Sequence, residues 1–251
     1  MQKYEEKVVL SDGERVEDLQ CAGLKIIQNK SLYTFTSDSV ILANFVKLKP
    51  KENAVEIGGG CGVVSILVSA KNKFKSIKIF EIQEKLQKLC QKNIIFNNLS
   101  EKIELICGDV KNHQKHIEDG SVDVVFSNPP YFEENNLPCE ETRKIARQEV
   151  MLSLKDLTNV TAKMLKFGGR FYCTYPAERA CELIFECMKN GLAIKKMFFT
   201  ENGKGKMTLV VIEAVRGGKH RVKILETLRT NTEDGKFLEE LKTRKFETIK
   251  N

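Results

Sequence analysis

The chain has 251 residues, 41% hydrophobic and 30% charged, enough to bury a full core as one domain with appendages. It carries 41 Lys and Arg against 34 Asp and Glu, a net charge of +7. No apolar run reaches membrane-spanning length and the start, MQKYEEKVVLSDGER, has no signal-peptide core, so a membrane span is excluded and a cytoplasmic location expected.

Residues 1 to 30 read as an irregular or hairpin-forming extension, with Gly23 to Ile27 a strand. Asp38 to Lys47 has helical spacing, capped by Ser37 or Asp38. Ala54 to Ile57 is a short buried strand, followed by the turn Gly58-Gly59-Gly60-Cys61-Gly62 and an apolar helical run over 62–72. Such a turn lets a ligand approach the backbone closely. The G-x-G-x-x-G register of a dinucleotide site is not met, because Val63 and Ser65 stand where its last glycine belongs. What fits is Glu56-x-Gly58-x-Gly60-x-Gly62. A carboxylate at that place repels a pyrophosphate and suits a cofactor with a positive charge and an amine, which points to S-adenosylmethionine.

Strand 76–81 ends in Glu81, suited to accept from two ribose hydroxyls, and helix 83–98 follows. Strand 103–107 ends in Gly108-Asp109, where a carboxylate meets an adenine amino group. The buried-strand pattern 122–127 then runs into Asn128-Pro129-Pro130-Tyr131. Proline lacks the N–H that a sheet ladder needs and forces extended geometry on the residue before it, so the chain leaves the sheet stiffly at Asn128. The Asn128 amide and the Pro129 carbonyl can accept both hydrogens of a planar amino group, while Tyr131 stacks on its ring. This is catalysis by positioning and electrostatics, with no strong base required.

The segment 132–148, rich in charge, is expected to fold over cofactor and target and to be mobile without them. Helix 150–166, strand 169–175, helix 177–190 and strands 193–199 and 207–215 follow, the last two forming an antiparallel hairpin. From Lys189 to Lys223 nine basic and two acidic residues leave a surplus of seven, equal to that of the whole chain. Lys195, Lys196, Lys204, Lys206, Arg216, Lys219 and Arg221 are therefore candidate nucleic-acid contacts. From Arg216 onward the chain reads as a charged tail, mobile or helical. The expected units are an extension over 1–48, a catalytic domain over 49–218 and a tail over 219–251.

The 8 cysteines form no C-x-x-C pair and mostly sit in apolar patterns, as reduced thiols do. His113-x-x-His116 has no cysteine pair beside it, and no metal is expected.

The order of glycine turn, Glu81, Asp109 and Asn-Pro-Pro-Tyr resembles the class I S-adenosylmethionine-dependent methyltransferases. Within them it is similar to the bacterial family that methylates adenine N6 in valine tRNA beside the anticodon. The likeness spans residues 17 to 218, including Thr34 to Ala43, Ala146 to Glu149 and Lys166 to Arg170. Gly59, Cys61 and Gln148 depart from the family pattern, as does everything after Gly218. The resemblance implies a Rossmann-like α/β fold: seven mostly parallel strands, a terminal antiparallel hairpin and helices on both faces. It also implies Thr36, Asp38, Val110 and Asn128 as further cofactor contacts, a tRNA partner and a monomer. Release-factor glutamine, DNA adenine and rRNA guanine methyltransferases share or nearly share the tetrad, and a non-catalytic RNA-binding module is the reading outside enzymes.

Overall fold

The computed structural model describes residues 8–32, 34–129 and 152–230. Pro130, Tyr131, the expected lid over 132–148 and the tail beyond residue 230 lie outside them.

The strand patterns of the central chain pair as one sheet. A two-stranded antiparallel ribbon, β1 (Glu14–Asp18) and β2 (Lys25–Asn29), precedes it, followed by helix α1 (Ser37–Phe45). Then come β3 (Asn53–Ile57), α2 (Val63–Lys71), β4 (Ser76–Glu81), α3 (Glu84–Phe96), β5 (Ile103–Cys107) and β6 (Val122–Ser127). After the undescribed segment follow α4 (Leu154–Met164), β7 (Leu165–Pro176), α5 (Ala180–Lys189), β8 (Leu192–Glu201) and β9 (Met207–Arg216). The order across the sheet is β5-β4-β3-β6-β7-β9-β8, parallel except that β9 runs antiparallel to both its neighbours. These are the seven expected strands, with the terminal hairpin in place.

Two further strands were not expected. β10 (Lys223–Ile224) and β11 (Leu228–Arg229) run parallel along the outer edge of β8, so the sheet has nine strands. Residues 223–229 are thus neither helical nor detached. Leu225 and Leu228, at 3% and 0% exposure, anchor them in the core despite the charge around them.

Alternation along each central strand feeds two cores. Ala54, Val124, Phe126 and Tyr172 pack on the α1–α2–α3 side, and Val55, Val125, Phe171 and Cys173 on the α4–α5 side. A strand buried on both faces reads as a continuous apolar run, which is why Val122 to Ser127 looks so hydrophobic. Phe45 fixes α1 on the sheet, edge-on to Tyr172 (5.6 Å) and Phe198 (5.1 Å).

The β1–β2 ribbon is tied down by amides rather than by a sheet. Asn93 Oδ1 accepts from Ile27 N–H (2.6 Å) and its Nδ2 donates to Ile27 O (3.0 Å). One helical turn later, Asn97 does the same for Lys25, at 3.1 and 2.8 Å. Alternate residues of a strand present their backbone groups to one side, and residues four apart on a helix stack on one face, so the two periods match here.

Candidate active site

β3 and β6 are neighbours whose connections run to opposite sides, and ligands of open α/β sheets bind at such a switch point. Ile57 is in register with Ser127, and Ser127 Oγ donates to Ile57 O at 2.8 Å. Gly58 and Asn128 therefore leave adjacent strands side by side.

The glycine turn is built by several separate devices. Gly58 and Gly59 N–H both donate to Phe80 O, at 2.9 and 3.1 Å, which bends the chain over β4. Gly58 and Gly60 have φ of +72° and +55°, and a Cβ on either would point into open space, a cradle bare of side chains. At Gly59 a Cβ would overlap Ile79 Cγ2, so that glycine serves packing. Asn93 reaches the same turn, its Nδ2 donating to Cys61 O at 2.9 Å.

Glu56, Gly58, Gly60 and Asn128 line one open pocket, together with Phe35, Ser39 and Cys61. Glu56 is 2% exposed, accepts from Ser65 N–H at 3.1 Å and also bonds Ser65 Oγ. Burial pushes its carboxyl up to about 8, against the pull of the Ser65 bonds, and the nearby Glu81 adds to the rise. A positive charge arriving beside such an acid favours its ionised form. Bare glycine backbone beside such an acid fits S-adenosylmethionine, which carries a sulfonium and an ammonium.

The remaining expected cofactor residues are not among those lining this pocket. Glu81 turns its carboxylate onto the glycine turn, accepting from Gly60 N–H (2.7 Å) and Gln83 N–H (2.8 Å). Gly62 caps α2 and packs so closely on Cys90 that a Cβ would sit 2.9 Å from its sulfur. Asp109 caps the 3-10 turn Val110–Lys115 through Lys111 N–H at 2.9 Å. Val110 is buried behind it, its carbonyl 3.2 Å from His113 Nδ1, while His113 Nε2 lies 2.7 Å from Asp119. Thr36 is the N-cap of α1 and Asp38 lies in its first turn, where burial raises its carboxyl.

Asn128 is clamped. Its Oδ1 accepts from Thr174 Oγ1 at 2.6 Å, and its Nδ2 donates to Ser39 Oγ at 3.1 Å. Both hydroxyls come from buried residues, on β7 and α1. Neither Ser39, Thr174, Ser65 nor Asn93 was legible in the sequence, since each acts across a tertiary contact. Among the described residues, no group of three His, Cys, Asp or Glu is placed to hold a metal. Nor is any helix among them long and apolar enough to cross a membrane.

The basic run does not form one face. Strand register puts Lys204 and Lys206 past the sheet edge that carries Asn128 and Arg216 at the opposite edge, while Lys219 and Arg221 lie in the chain that returns to β10, whose Lys223 stands beside Lys196 in the middle of β8. Lys195 donates to Lys219 O at 2.8 Å, and Lys196 is paired with Glu213 at 2.9 Å.

Sheet order, glycine turn and buried acid define a class I S-adenosylmethionine-dependent methyltransferase. Known proteins agree. Residues 34–174 match the family model of the methyltransferase small domain, and the chain belongs to that family. A relative from Flavobacteriaceae bacterium (strain 3519-10), named tRNA1(Val) (adenine(37)-N6)-methyltransferase, is 30% identical over 62% of this chain and 67% of its own. One of the same name from Shewanella frigidimarina is 26% identical over 80% of this chain and 78% of its own. The crystal structure of a predicted O-methyltransferase from Agrobacterium tumefaciens aligns with a TM-score of 0.64 at 16% identity, over 81% of this chain and 94% of that one. M. jannaschii TYW2 in complex with AdoMet aligns at 0.56 and 16% identity, over 82% and 87%.

Proposed function

We propose that this methyltransferase acts on the N6 amino group of an adenine in tRNA, adenine 37 beside the anticodon of valine tRNA. The observation that carries the reading is the Asn128 amide, held at the mouth of the cofactor pocket by Ser39 and Thr174. The names of the relatives support the RNA and the position.

S-adenosylmethionine supplies an electrophilic methyl group on a sulfonium. Glu56 and the backbone of Gly58 to Gly62 hold its methionine end, with Glu81 toward the ribose and Asp109 and Val110 toward the adenine. Thr36 and Asp38 close the site from α1. Asn128 Oδ1, alongside Thr174, accepts one hydrogen of the target amino group, and the Pro129 carbonyl accepts the other. Both bonds strengthen as the nitrogen becomes positive and more acidic, which is the differential binding that lowers a barrier. Tyr131, next but one after Pro129 in the sequence, is the aromatic side chain proposed to stack on the target base. A base in the anticodon loop is already single-stranded, so splaying it out costs less than flipping it from a duplex.

Methyl transfer from labelled S-adenosylmethionine to total tRNA, rRNA, duplex DNA and release factor tests this, with RNA taken from cells lacking the gene. N6-methyladenosine in tRNA alone is the expected product. Label in release factor moves the substrate to a protein glutamine, and label in rRNA or DNA moves it to another nucleic acid.

A further inference from the structure

We propose that the turn joining β8 to β9, residues 202–206, is where this enzyme grips the phosphate backbone of its RNA, and that the rest of the basic run takes no part. The inference rests on the RNA reading above and divides a cluster that the sequence presents as one.

Register decides which cations face the substrate. Leu209 of β9 stands opposite both Pro176 of β7 and Thr200 of β8. The chain between Glu201 and Met207 therefore projects past the edge at which Asn128 leaves β6. β7 and β9 lie between β6 and β8, so the turn is offset from Asn128 by roughly 10–14 Å across the sheet at about 4.8 Å per strand, and by about five residues, roughly 16 Å, along the strands. An RNA whose base sits at Asn128 meets this turn with phosphates a few nucleotides away rather than with the flanking ones.

The turn is also held in one shape. Asn202 N–H donates to Lys206 O, and Gly205 N–H to Asn202 O, each at 3.0 Å. Asn202 Oδ1 accepts from the N–H groups of Lys204 (3.2 Å) and Lys206 (3.1 Å). Both lysines are exposed, and neither ammonium has a hydrogen bond or ion pair among the described residues. Beside the same turn Arg229 of β11 is paired with Glu201 at 3.5 Å, so the two lysines are the cations the turn offers.

Elsewhere the cations are engaged or misplaced. Arg216, at the far edge, bonds the Leu165 carbonyl at the end of α4, and Lys219 and Arg221 lie on the return from that edge to β10. Ammonium groups on a turn are point charges without base specificity, so the turn should supply affinity and salt dependence rather than choice of sequence.

The test compares K204E/K206E with K219E/R221E in the full chain, using a tRNA transcript that the unaltered enzyme methylates. For K204E/K206E we expect KM for RNA to rise about tenfold or more near 0.1 M salt, and the slope of log affinity against log salt to shrink by about 1.5. Saturated kcat and cofactor affinity should stay within about twofold, as should the melting temperature within a degree or so. K219E/R221E should leave every value within about twofold. RNA methylation that is insensitive to K204E/K206E, or equally sensitive to both pairs, overturns the proposal alone. Failure of the unaltered enzyme to methylate any RNA overturns the RNA reading and takes this proposal with it.

Discussion

Thr174 Oγ1 lies 2.6 Å from Asn128 Oδ1 and donates to it, from a strand residue with no solvent exposure. A carboxamide is nearly symmetric in shape, and the two ends differ only in which accepts and which donates. Here Thr174 donates to the oxygen and Ser39 Oγ accepts from the NH₂, so both ends of the amide are engaged and its plane is held. The oxygen keeps a second lone pair with which to accept from a target amino group.

Replacing Thr174 by Val keeps the shape and removes that donor. One buried hydrogen bond is worth about 0.5–1.5 kcal/mol, so kcat should fall roughly two- to tenfold while cofactor affinity holds. Thr174→Ser should restore most of the rate. If Asn128 acts on the target as proposed, Asn128→Ala should remove most turnover with cofactor affinity within about a few-fold. Isothermal titration beside steady-state kinetics separates the two. An equal loss of cofactor binding in Asn128→Ala would place Asn128 in the cofactor site instead.

Glu56 predicts a pH dependence of two opposite signs. Its carboxyl is raised from 4.5 to about 8, chiefly by burial, so the free protein keeps the proton at neutral pH. A raised carboxyl adds stability that is fully present below the unfolded value and is lost as pH rises through the folded one. The free protein should therefore lose stability between about pH 4.5 and 8 on account of this group. Binding a cation favours the carboxylate, so affinity for S-adenosylmethionine should strengthen by up to about tenfold per pH unit toward pH 8, with release of a proton. Glu56→Gln should raise the melting temperature of the free protein at pH 8, flatten this profile and weaken binding. Calorimetry in buffers of different ionisation enthalpy counts the proton. A profile unchanged by Glu56→Gln would remove Glu56 from the site.

The glycines should separate fold from function. Gly59→Ala drives a methyl into Ile79 and should cost about 1–3 kcal/mol of stability. Gly60→Ala meets no neighbour, but its φ of +55° strains any other residue by about 1 kcal/mol. Its methyl occupies the cradle itself, so cofactor affinity should fall by more than stability does. Denaturant melts and cofactor titrations on both variants check the contrast.

Much of this was readable before any coordinates. Val122 to Ser127 is apolar on both faces because both faces are covered, and the two prolines after it end the strand where the cofactor edge lies. The glycine turn carries its own signal in Glu56, Gly58, Gly60 and Gly62. Ser39, Ser65, Asn93 and Thr174 carried none, because a hydroxyl or amide that serves another segment has no local period. β10 and β11 are two residues each, too short for alternation to show. The spread of the basic run was not legible, for a geometric reason. β8 and β9 are ten residues long each, about 33 Å at 3.3 Å per residue, so lysines adjacent in sequence end at opposite edges of the sheet.

Asn93 offers the test of how the extension and the catalytic turn are joined. Its side chain accepts from Ile27 N–H and donates to the carbonyls of both Ile27 and Cys61, with no exposure to solvent. Asn93→Leu preserves approximate volume but strands three backbone groups, one of them in the cofactor turn. Each buried group left unpaired costs about 1–3 kcal/mol, less whatever local opening to water recovers. A net loss of about 3 kcal/mol is expected, with the ribbon loosening first, since of the two amides only Asn97 then remains beside the Lys92–Glu14 pair. Hydrogen exchange should show Ile27 and Lys25 amides losing protection ahead of the sheet, and cofactor affinity should weaken about tenfold as Cys61 shifts. Asn97→Leu should loosen Lys25 in the same way and leave the cofactor turn alone, because its amide bonds the ribbon and Asn93 O but not Cys61. If both variants weakened cofactor binding equally, the coupling would run through the whole ribbon rather than through the single Asn93 side chain.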